Sequence, residues 1–467
     1  MLDRRTFLGA VAAATAGAVT SGAAGAQAVP RPRFPKGFLW GAATAAYQVE
    51  GNNVGSDVWA MEHARPTVYM EPSGDAANSF ALWPVDMDLV KSLGLNSYRF
   101  SLEWGRIEPA KGEFSVAMLD HYKAMIAGCR ARGLVPVVTF NHFTTPVWFA
   151  AQGGWSNPEA PALFARYCER AARHLAAGIG YATTLNEPNL TGVLDLVLPG
   201  DIGKRLLGDD RTMQEAAARA HGVARFLPGN PLYVADPQVV QKHLLAGHKA
   251  GCDAIKAVRP DLPVGVSLAI IDDQAAGENS LRGAMRDKLY RAWLEAARGD
   301  DFIGVQNYER TIWDDKGRLP APKGAETNDA GAEIYPPSLA DVVRYAHEVT
   351  RVPVMVTEHG VNSADDRKRQ RLIPAALAEL KRAIDDGVPV LGYMHWSLID
   401  NYEWVFGYGP RFGLCTLDRT TFKRTPKPSA AVLGRSRNAI RSERCILTRA
   451  APARNAGAFF YLLSLSR

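Results

Sequence analysis

The chain has 467 residues, 47% hydrophobic and 22% charged, a balance typical of a globular protein that buries a large core. Its formal net charge is +6, but no interior stretch combines clustered Lys and Arg with aromatic residues, so a nucleic-acid-binding role has little support. The sequence contains five cysteines, and no pair has metal-ligand spacing. We therefore predict no structural metal and leave disulfide pairing open.

The first 28 residues have the pattern of an export signal. The run Arg4-Arg5-Thr6-Phe7-Leu8 is similar to the twin-arginine motif of bacterial signal peptides. An Ala- and Gly-rich run, Gly9–Val19, is too short to span a bilayer stably, and Ala26-Gln27-Ala28 fits a cleavage site. We expect a mature, folded protein that starts near Val29 and is periplasmic or secreted. A leader that is never cleaved is the alternative.

From Phe38 onward, short β-branched and aromatic runs alternate with longer amphipathic runs, which predicts repeated β-α units around a parallel sheet. The candidate strands are Phe38–Tyr47, Ser97–Trp104, Val135–His142, Tyr181–Glu187, Pro263–Ile270, Phe302–Tyr308, Val352–Glu358 and Val390–Trp396. Candidate helices include Leu119–Arg132, Ala162–Ala177 and Pro374–Ile384. This alternation, without a Gly-x-Gly-x-x-Gly motif after the first strand, favours a single (β/α)8 TIM barrel over an open doubly wound sheet.

We assign the barrel to residues 29–440 and expect residues 441–467 to be a basic, poorly ordered extension. Two segments, Leu190–Gln238 and Thr311–Pro337, interrupt the alternation and hold several Gly and Pro. Long loops in a compact domain are usually functional or disordered. Because both segments leave the carboxyl ends of predicted strands, we expect long loops at the face where barrel enzymes build their sites.

Polar side chains follow several of the buried strands. The fourth strand ends in Thr184-Leu185-Asn186-Glu187-Pro188, and the seventh ends in Val356-Thr357-Glu358-His359-Gly360. A single Glu at a strand end is more simply explained by a salt bridge or a helix cap. Two carboxylates facing each other across a barrel mouth, however, are the pair that cleaves a glycosidic bond.

Five motifs in chain order resemble those of glycoside hydrolase family 1, and the match covers nearly all of residues 34–430. The matching segments are Phe34–Gly51, Tyr98–Trp104, Thr184–Pro188, Thr357–Gly360 and Gly392–Trp404, followed by Gly407-Tyr408 and Arg411–Leu414. The resemblance implies a retaining β-glycosidase of the β-glucosidase type, a hydrolase that needs no cofactor because two carboxylates suffice for the chemistry.

The resemblance also implies a role for each matching residue. Glu187 would be the acid/base and Glu358 the nucleophile, with Arg99 and Tyr308 supporting the nucleophile. Residues that would bind the sugar are Gln48, His142, Asn186, Trp396, Glu403 and Trp404. For His142 and the two tryptophans, core packing is the competing interpretation. A carboxylate at Glu403 would repel a 6-phosphate, so we expect an unphosphorylated glycoside.

The sequence departs from the family pattern at several places. Gln306 stands where the family usually has Asn, His359 follows the nucleophile where Asn is common, and Phe80–Trp83 replaces a Tyr-His-Arg-Tyr segment. The Leu190–Gln238 segment also differs, which leaves the leaving-group side and the exact sugar open. Two other functions are considered: a transglycosidase on the same scaffold and a sugar-binding protein without catalysis. The partner expected in each case is a small glycoside, with no nucleic acid and no stable membrane span, and the oligomeric state stays open.

Overall fold

The computed structural model describes residues 34–197, 200–229 and 236–447. The predicted export signal at residues 1–28 lies outside these ranges. No helix among the described residues is long and apolar enough to cross a membrane.

Eight parallel strands form a closed barrel in which each strand pairs with its neighbours in sequence and the first pairs with the last. The strands are β1 (Leu39–Ala43), β2 (Ser97–Ser101), β3 (Val135–Asn141), β4 (Tyr181–Asn186), β5 (Val264–Ala269), β6 (Phe302–Asn307), β7 (Val354–His359) and β8 (Val390–Trp396). The predicted TIM barrel and the eight predicted strand positions are confirmed.

The first strand is shorter than predicted. It ends at Ala43, and Ala46–Glu50 forms a short helix instead of continuing to Tyr47. The backbone leaves the sheet because the Ala46 N–H donates to the Ser101 hydroxyl at 2.7 Å and the Val49 N–H turns back to the Ala45 carbonyl at 3.2 Å. This turn places Gln48 at the barrel mouth.

Helices surround the barrel and complete the β-α alternation. The longer ones are Ser79–Ser92, Val116–Ala131, Ala160–Leu175, Leu190–Val197, Gly200–Ala220, Pro237–Val258, Ser338–Thr350, Asp366–Asp385 and Pro428–Leu447. Shorter ones are Ala46–Glu50, Asp57–His63, Trp104–Ile107, Val147–Ala151, Arg282–Arg286 and Ala292–Ala296. The helix predicted from Pro374 in fact begins at Asp366, where the Asp365 carboxylate caps the Arg367 N–H at 3.0 Å, so Pro374 lies inside it.

The segment Leu190–Gln238 is not the long loop that we predicted. It contains the helices Leu190–Val197 and Gly200–Ala220 and reaches the start of Pro237–Val258. Met213 and Ala217 are fully buried and pack in a cluster with Val58 and Met61. This packing stabilises helix in a stretch whose glycines and prolines weaken the local signal.

The predicted Thr311–Pro337 loop is partly ordered as strand. Arg310–Trp313 pairs with Asp272–Ala275 and with Arg318–Leu319 in a small three-stranded sheet outside the barrel. Near the other end of the chain, the helix Pro428–Leu447 continues past residue 440, the boundary we predicted for the extension. The remainder of the extension lies outside the described residues.

Apolar side chains fill both sides of the barrel wall. Leu39, Val137, Phe302, Met355 and Met394 pack together as one buried cluster. A larger cluster joins the strands to the surrounding helices. A close-packed wall of this kind is poorly compressible, so it holds the strand ends, and the polar side chains they carry, in fixed positions.

Candidate active site

Two glutamates lie at the carboxyl ends of strands in the barrel mouth. Glu187 follows β4 directly, and Glu358 belongs to the last residues of β7. Glu187 is 8% exposed and Glu358 is 4% exposed. A carboxylate buried to this extent needs hydrogen-bond donors or cations to remain ionised.

Glu358 has such partners on both of its oxygens. The Arg99 guanidinium donates from Nη1 to Oε1 at 2.6 Å, and the Tyr308 hydroxyl donates to Oε2 at 2.6 Å. Arg99 is itself fully buried in β2. Its other terminal nitrogen, Nη2, donates to the Asn186 side-chain oxygen at 2.5 Å. One guanidinium therefore links the carboxylate of β7 to the amide of β4.

Glu187 has a different environment. Its backbone has a φ of 43°, in the left-handed region, and its N–H donates to the Ser267 carbonyl of β5 at 2.7 Å. A residue other than Gly, Asn or Asp is uncommon in this region of backbone conformation, and such residues concentrate at functional sites. The backbone turn lifts the Glu187 side chain out of the β4 ladder at the barrel mouth.

The two carboxyl groups influence each other. Burial raises the pKa of Glu187 well above its ordinary value, and the nearby Glu358 charge raises it further, while Arg99 opposes the increase. Burial also raises the pKa of Glu358, but the Arg99 cation and the Tyr308 hydrogen bond act against that increase. Because the donors contact Glu358, the site favours one negative charge on Glu358 and one proton on Glu187.

A second polar group lies on the β1 and β8 side of the mouth. The Gln48 amide nitrogen donates to the Tyr402 carbonyl at 2.7 Å and to the Glu403 carboxylate at 3.2 Å. Burial raises the pKa of Glu403 to about 8, and the Glu358 charge contributes to the increase. Gln48 and Glu403 therefore form one hydrogen-bonded unit close enough to Glu358 to feel its charge.

Aromatic rings form a wall of the site. The His142 ring stacks against Trp396, with ring centroids 5.9 Å apart, and against Trp404 at 6.5 Å. Burial lowers the pKa of His142 well below its ordinary value, and the Arg99 charge lowers it further, so the ring is neutral. Flat apolar faces beside polar groups are suited to a ligand with both C–H surfaces and hydroxyl groups.

Several buried polar atoms at the mouth have no hydrogen-bond partner among the described residues. They are Gln48 Oε1, His142 Nδ1, Asn186 Nδ2 and Gln306 Oε1. A buried polar atom left unpaired costs roughly 1–3 kcal/mol, and such groups are rare unless they serve a function. Among them, Gln48 Oε1, His142 Nδ1 and Asn186 Nδ2 provide donors and acceptors for a polyhydroxylated ligand.

A small cavity adjoins Glu187, and neither Gln48 nor Glu403 belongs to its lining. It has a volume of about 30 Å³, and Asn186 and Glu187 form part of its lining. Most of the remaining lining is apolar: Phe143, Trp155, Leu185, Pro188, Leu227, Pro228, Val240 and Leu244. Leu227 and Pro228 belong to the segment Leu190–Gln238, which differs from the family's usual loop, so this segment forms part of the cavity wall beside Glu187.

The structure brings the predicted site residues together at one end of the barrel. Gln306 joins them, although in the sequence it stood out only as a departure from the family pattern. Strand alternation was the available signal, since residues 306 and 308 share a face in the strand predicted for Phe302–Tyr308. His359, another departure, instead bonds through Nδ1 to the Tyr393 hydroxyl at 2.9 Å. Phe80, from the third departure, stacks on His121 with centroids 3.9 Å apart.

One group of potential metal ligands lies outside this site. Among the described residues, His248, Cys252 and Asp300 bring one ligand atom each within 4.8 Å of the others. Both ring nitrogens of His248 already face protein groups: Nδ1 lies 2.7 Å from the Thr184 hydroxyl and Nε2 lies 3.2 Å from Asp300. The contacts are those of a buried polar network, and the absence of a structural metal stays a prediction.

Comparisons with known proteins agree with this architecture. The profile of glycosyl hydrolase family 1 matches residues 31–200 and 301–435. A β-glucosidase A of Acetivibrio thermocellus is 30% identical over 446 residues, covering 85% of this chain and 96% of the relative. The solved structure of a β-glucosidase, 1317, superposes with a TM-score of 0.82 at 40% identity, covering 86% of this chain and 99% of that one. A solved β-glycosidase, BGL167, gives a TM-score of 0.80 at 45% identity, covering 91% and 100%. The chain therefore belongs to glycosyl hydrolase family 1 and is a retaining β-glycosidase.

Proposed function

We propose that the preferred substrate is an unphosphorylated β-glucoside and that Glu187 and Glu358 carry out its hydrolysis. The observation that supports these roles most strongly is the asymmetry of the pair. Arg99 and Tyr308 both donate to Glu358, and burial beside that charge keeps the proton on Glu187. A nucleophile must be ionised and a general acid must be protonated at the same pH, and this arrangement meets both requirements.

In the first step, the Glu358 carboxylate attacks the anomeric carbon while Glu187 transfers its proton to the glycosidic oxygen. The C–O bond to the leaving group breaks, the alcohol departs, and the sugar is bound covalently to Glu358. In the second step, Glu187, now ionised, removes a proton from water. The resulting hydroxide attacks the anomeric carbon on the face opposite Glu358, and the bond between the sugar and the Glu358 oxygen breaks. The sugar leaves with its original configuration, and both glutamates return to their starting states.

The glycone is bound through hydrogen bonds to the buried polar atoms that have no protein partner among the described residues. Asn186 Nδ2, which is buried and has no hydrogen-bond partner among the described residues, donates to the 2-hydroxyl, a contact that strengthens in the transition state. Gln48, His142 and Glu403 bind the remaining ring hydroxyls, and Trp396 packs on the sugar's C–H face while Trp404 contributes its indole N–H. A 6-phosphate is disfavoured beside Glu403, because its charge would be desolvated next to a carboxyl group that cannot act as a cationic partner.

The choice of glucose rests on the relatives. The Acetivibrio protein and an Agrobacterium relative, 28% identical over 459 residues, are both β-glucosidases. A Bifidobacterium breve relative is a bifunctional β-D-glucosidase/β-D-fucosidase, which indicates that tolerance at the sugar's 4- and 6-positions varies between relatives. A panel of nitrophenyl glycosides ranks the sugars directly. A glucoside that is not among the best substrates would overturn the choice of glucose without affecting the catalytic roles.

Trapping the covalent intermediate tests the catalytic roles. An activated 2-deoxy-2-fluoro-β-glucoside should label the protein once per chain, and peptide mass spectrometry should place the label on Glu358. The Glu358→Gln variant should remain unlabelled, and Glu187→Gln should still be labelled, because the activated leaving group needs no proton. A label on another residue, or turnover that survives in Glu358→Gln, would contradict the proposed nucleophile.

We also propose that the protein is exported in a folded state. This proposal rests on the Arg4-Arg5 pair, the short apolar run and the Ala26-Gln27-Ala28 site. Replacing both arginines with lysines should leave the activity inside the cell and remove it from the periplasm or medium. Export that persists without the arginine pair would contradict the route.

A further inference from the structure

We propose that Gln306 is a positioning residue that fixes the Asn186 amide so that its N–H group faces the 2-hydroxyl of the glycone. This inference rests on the proposed function of Asn186 and extends it to a residue that does not contact the reacting atoms. It also gives a role to a glutamine that departs from the family pattern.

The orientation of both amides follows from donor and acceptor chemistry. Arg99 has only donors, so the Asn186 atom that lies 2.5 Å from its Nη2 must be the side-chain oxygen. That oxygen is an acceptor, so the Gln306 atom 2.8 Å away from it must be the amide nitrogen. The Asn186 oxygen therefore accepts two hydrogen bonds, and its Nδ2 must face elsewhere.

Nδ2 is buried and has no hydrogen-bond partner among the described residues. Because both lone pairs of the oxygen are engaged, a 180° rotation of the amide would point N–H groups at the Arg99 and Gln306 donors. That rotated state is disfavoured by both contacts. Arg99 alone supplies one of them, and Gln306 supplies the second, so removing Gln306 should make the rotated or tilted amide more accessible.

The contact spans an intervening strand. Asn186 ends β4 and Gln306 belongs to β6, while β5 lies between them in the barrel. Gln306 pairs in register with Ala269 of β5 on one side and with Glu358 of β7 on the other. A side chain at this position must reach past β5 to meet Asn186, and asparagine is one methylene shorter than glutamine. Because Gln306 pairs with Glu358, its backbone is also held by β7, the strand that carries the proposed nucleophile.

The proposal is tested by changing the protein and the substrate separately and together, as in a double-mutant cycle. Gln306→Met keeps the length of the side chain and removes the donor. With a nitrophenyl β-glucoside, we expect kcat/KM to fall by about ten- to a hundredfold, because a mispositioned amide loses a contact that is strongest in the transition state. With the matching 2-deoxy-glucoside, which has no 2-hydroxyl, Gln306→Met should equal the parent within about twofold. Gln306→Asn should restore only part of the loss with the glucoside.

Gln370→Met is the matched control. Gln370 is a half-buried glutamine on the helix Asp366–Asp385, and its amide donates to Asp366 at 3.2 Å. This variant should leave both substrates unaffected. If Gln306→Met lowers kcat/KM equally for the two substrates, or changes neither, Gln306 does not position Asn186. Should Gln306→Met fail to fold, the same comparison with Gln306→Asn decides the question.

Asn186→Ala separates this proposal from the one it rests on. If that variant loses activity only with the substrate that has a 2-hydroxyl, Asn186 binds the hydroxyl as proposed, and the Gln306 result stands by itself. If Asn186→Ala lowers both substrates equally, the proposed contact with the 2-hydroxyl is wrong, and the inference about Gln306 is overturned with it.

Discussion

Replacing Tyr308 with phenylalanine should shift the pH dependence of the enzyme while leaving its fold intact. Tyr308 donates to the Glu358 carboxylate at 2.6 Å, and its ring packs edge-on against Phe412 with centroids 5.8 Å apart. The substitution removes the hydroxyl but keeps the ring. It therefore removes one buried hydrogen bond to a charged oxygen and little else.

The magnitude follows from that bond. A hydrogen bond to a charged group contributes about 1.5–3 kcal/mol. Since about 1.4 kcal/mol corresponds to a factor of ten, loss of the bond should raise the proton affinity of Glu358 by about ten- to a hundredfold. In the parent, the bond lowers the pKa of Glu358 against the increase caused by burial. Removing it raises that pKa, so the carboxylate is lost at a higher pH as the solution is acidified.

The measurement is kcat/KM against pH for a nitrophenyl glucoside, which reports the ionisation states of the free enzyme. The acidic limb, where activity falls as Glu358 becomes protonated, should move to higher pH in Tyr308→Phe. Tyr181→Phe is the control, because Tyr181 begins β4 at the opposite end of the barrel and packs edge-on against Phe302. Coincident acidic limbs in the parent and Tyr308→Phe would refute the assignment of that limb to Glu358.

Three further predictions concern the acid, the sugar pocket and the fold. Glu187→Gln should lower kcat/KM by about 10²–10⁴ for an alkyl glucoside but little for a dinitrophenyl glucoside. It should also remove the basic limb of the pH profile, since the raised pKa of Glu187 means that this residue keeps its proton until high pH. Equal losses with both substrates would contradict a general acid. Glu403→Ala should increase the kcat/KM ratio of 6-phosphorylated to plain glucoside by about tenfold or more, and an unchanged ratio would remove the argument against phosphorylated substrates. Arg424→Met should lower the free energy of unfolding, measured in urea, by about 3–5 kcal/mol. It leaves the buried Asp86 carboxylate, which lies 2.7 Å from the guanidinium, without its cationic partner. The exposed Arg382–Glu379 pair is its control, with an expected loss for Arg382→Met below about 1 kcal/mol.

The barrel could be predicted from the sequence because its strands carry strong local signals. Val135-Pro136-Val137-Val138-Thr139-Phe140 is apolar throughout, as a strand buried on both faces must be, and a polar residue marks where it reaches the mouth. The motifs around Glu187 and Glu358 then supplied the candidate chemistry. The predicted end of β1 was wrong because the actual end depends on a hydrogen bond to the Ser101 hydroxyl, which belongs to another strand.

Other features depend on tertiary contacts that no local pattern contains. The helix Gly200–Ala220 has a weak sequence signal, and it is held by packing of Met213 and Ala217 against Val58 and Met61. The bond from Gln306 to Asn186 joins two strands that are not neighbours. Its existence depends on the length of one side chain and the curvature of the barrel, so the sequence showed only an unusual residue.

The pairing of the first barrel strand with the last has a consequence for the order in which the enzyme becomes active. Leu39 pairs with Gly392 and Ala43 with Trp396, so one edge of β1 has no partner until β8 has been synthesised. Contacts between such distant residues form slowly, and an open edge invites pairing with other chains. The bond between Gln48 and Glu403 joins the segments that follow these two strands. The proposed glycone site is therefore completed only when the barrel closes, so the recovery of activity during refolding would report that closure.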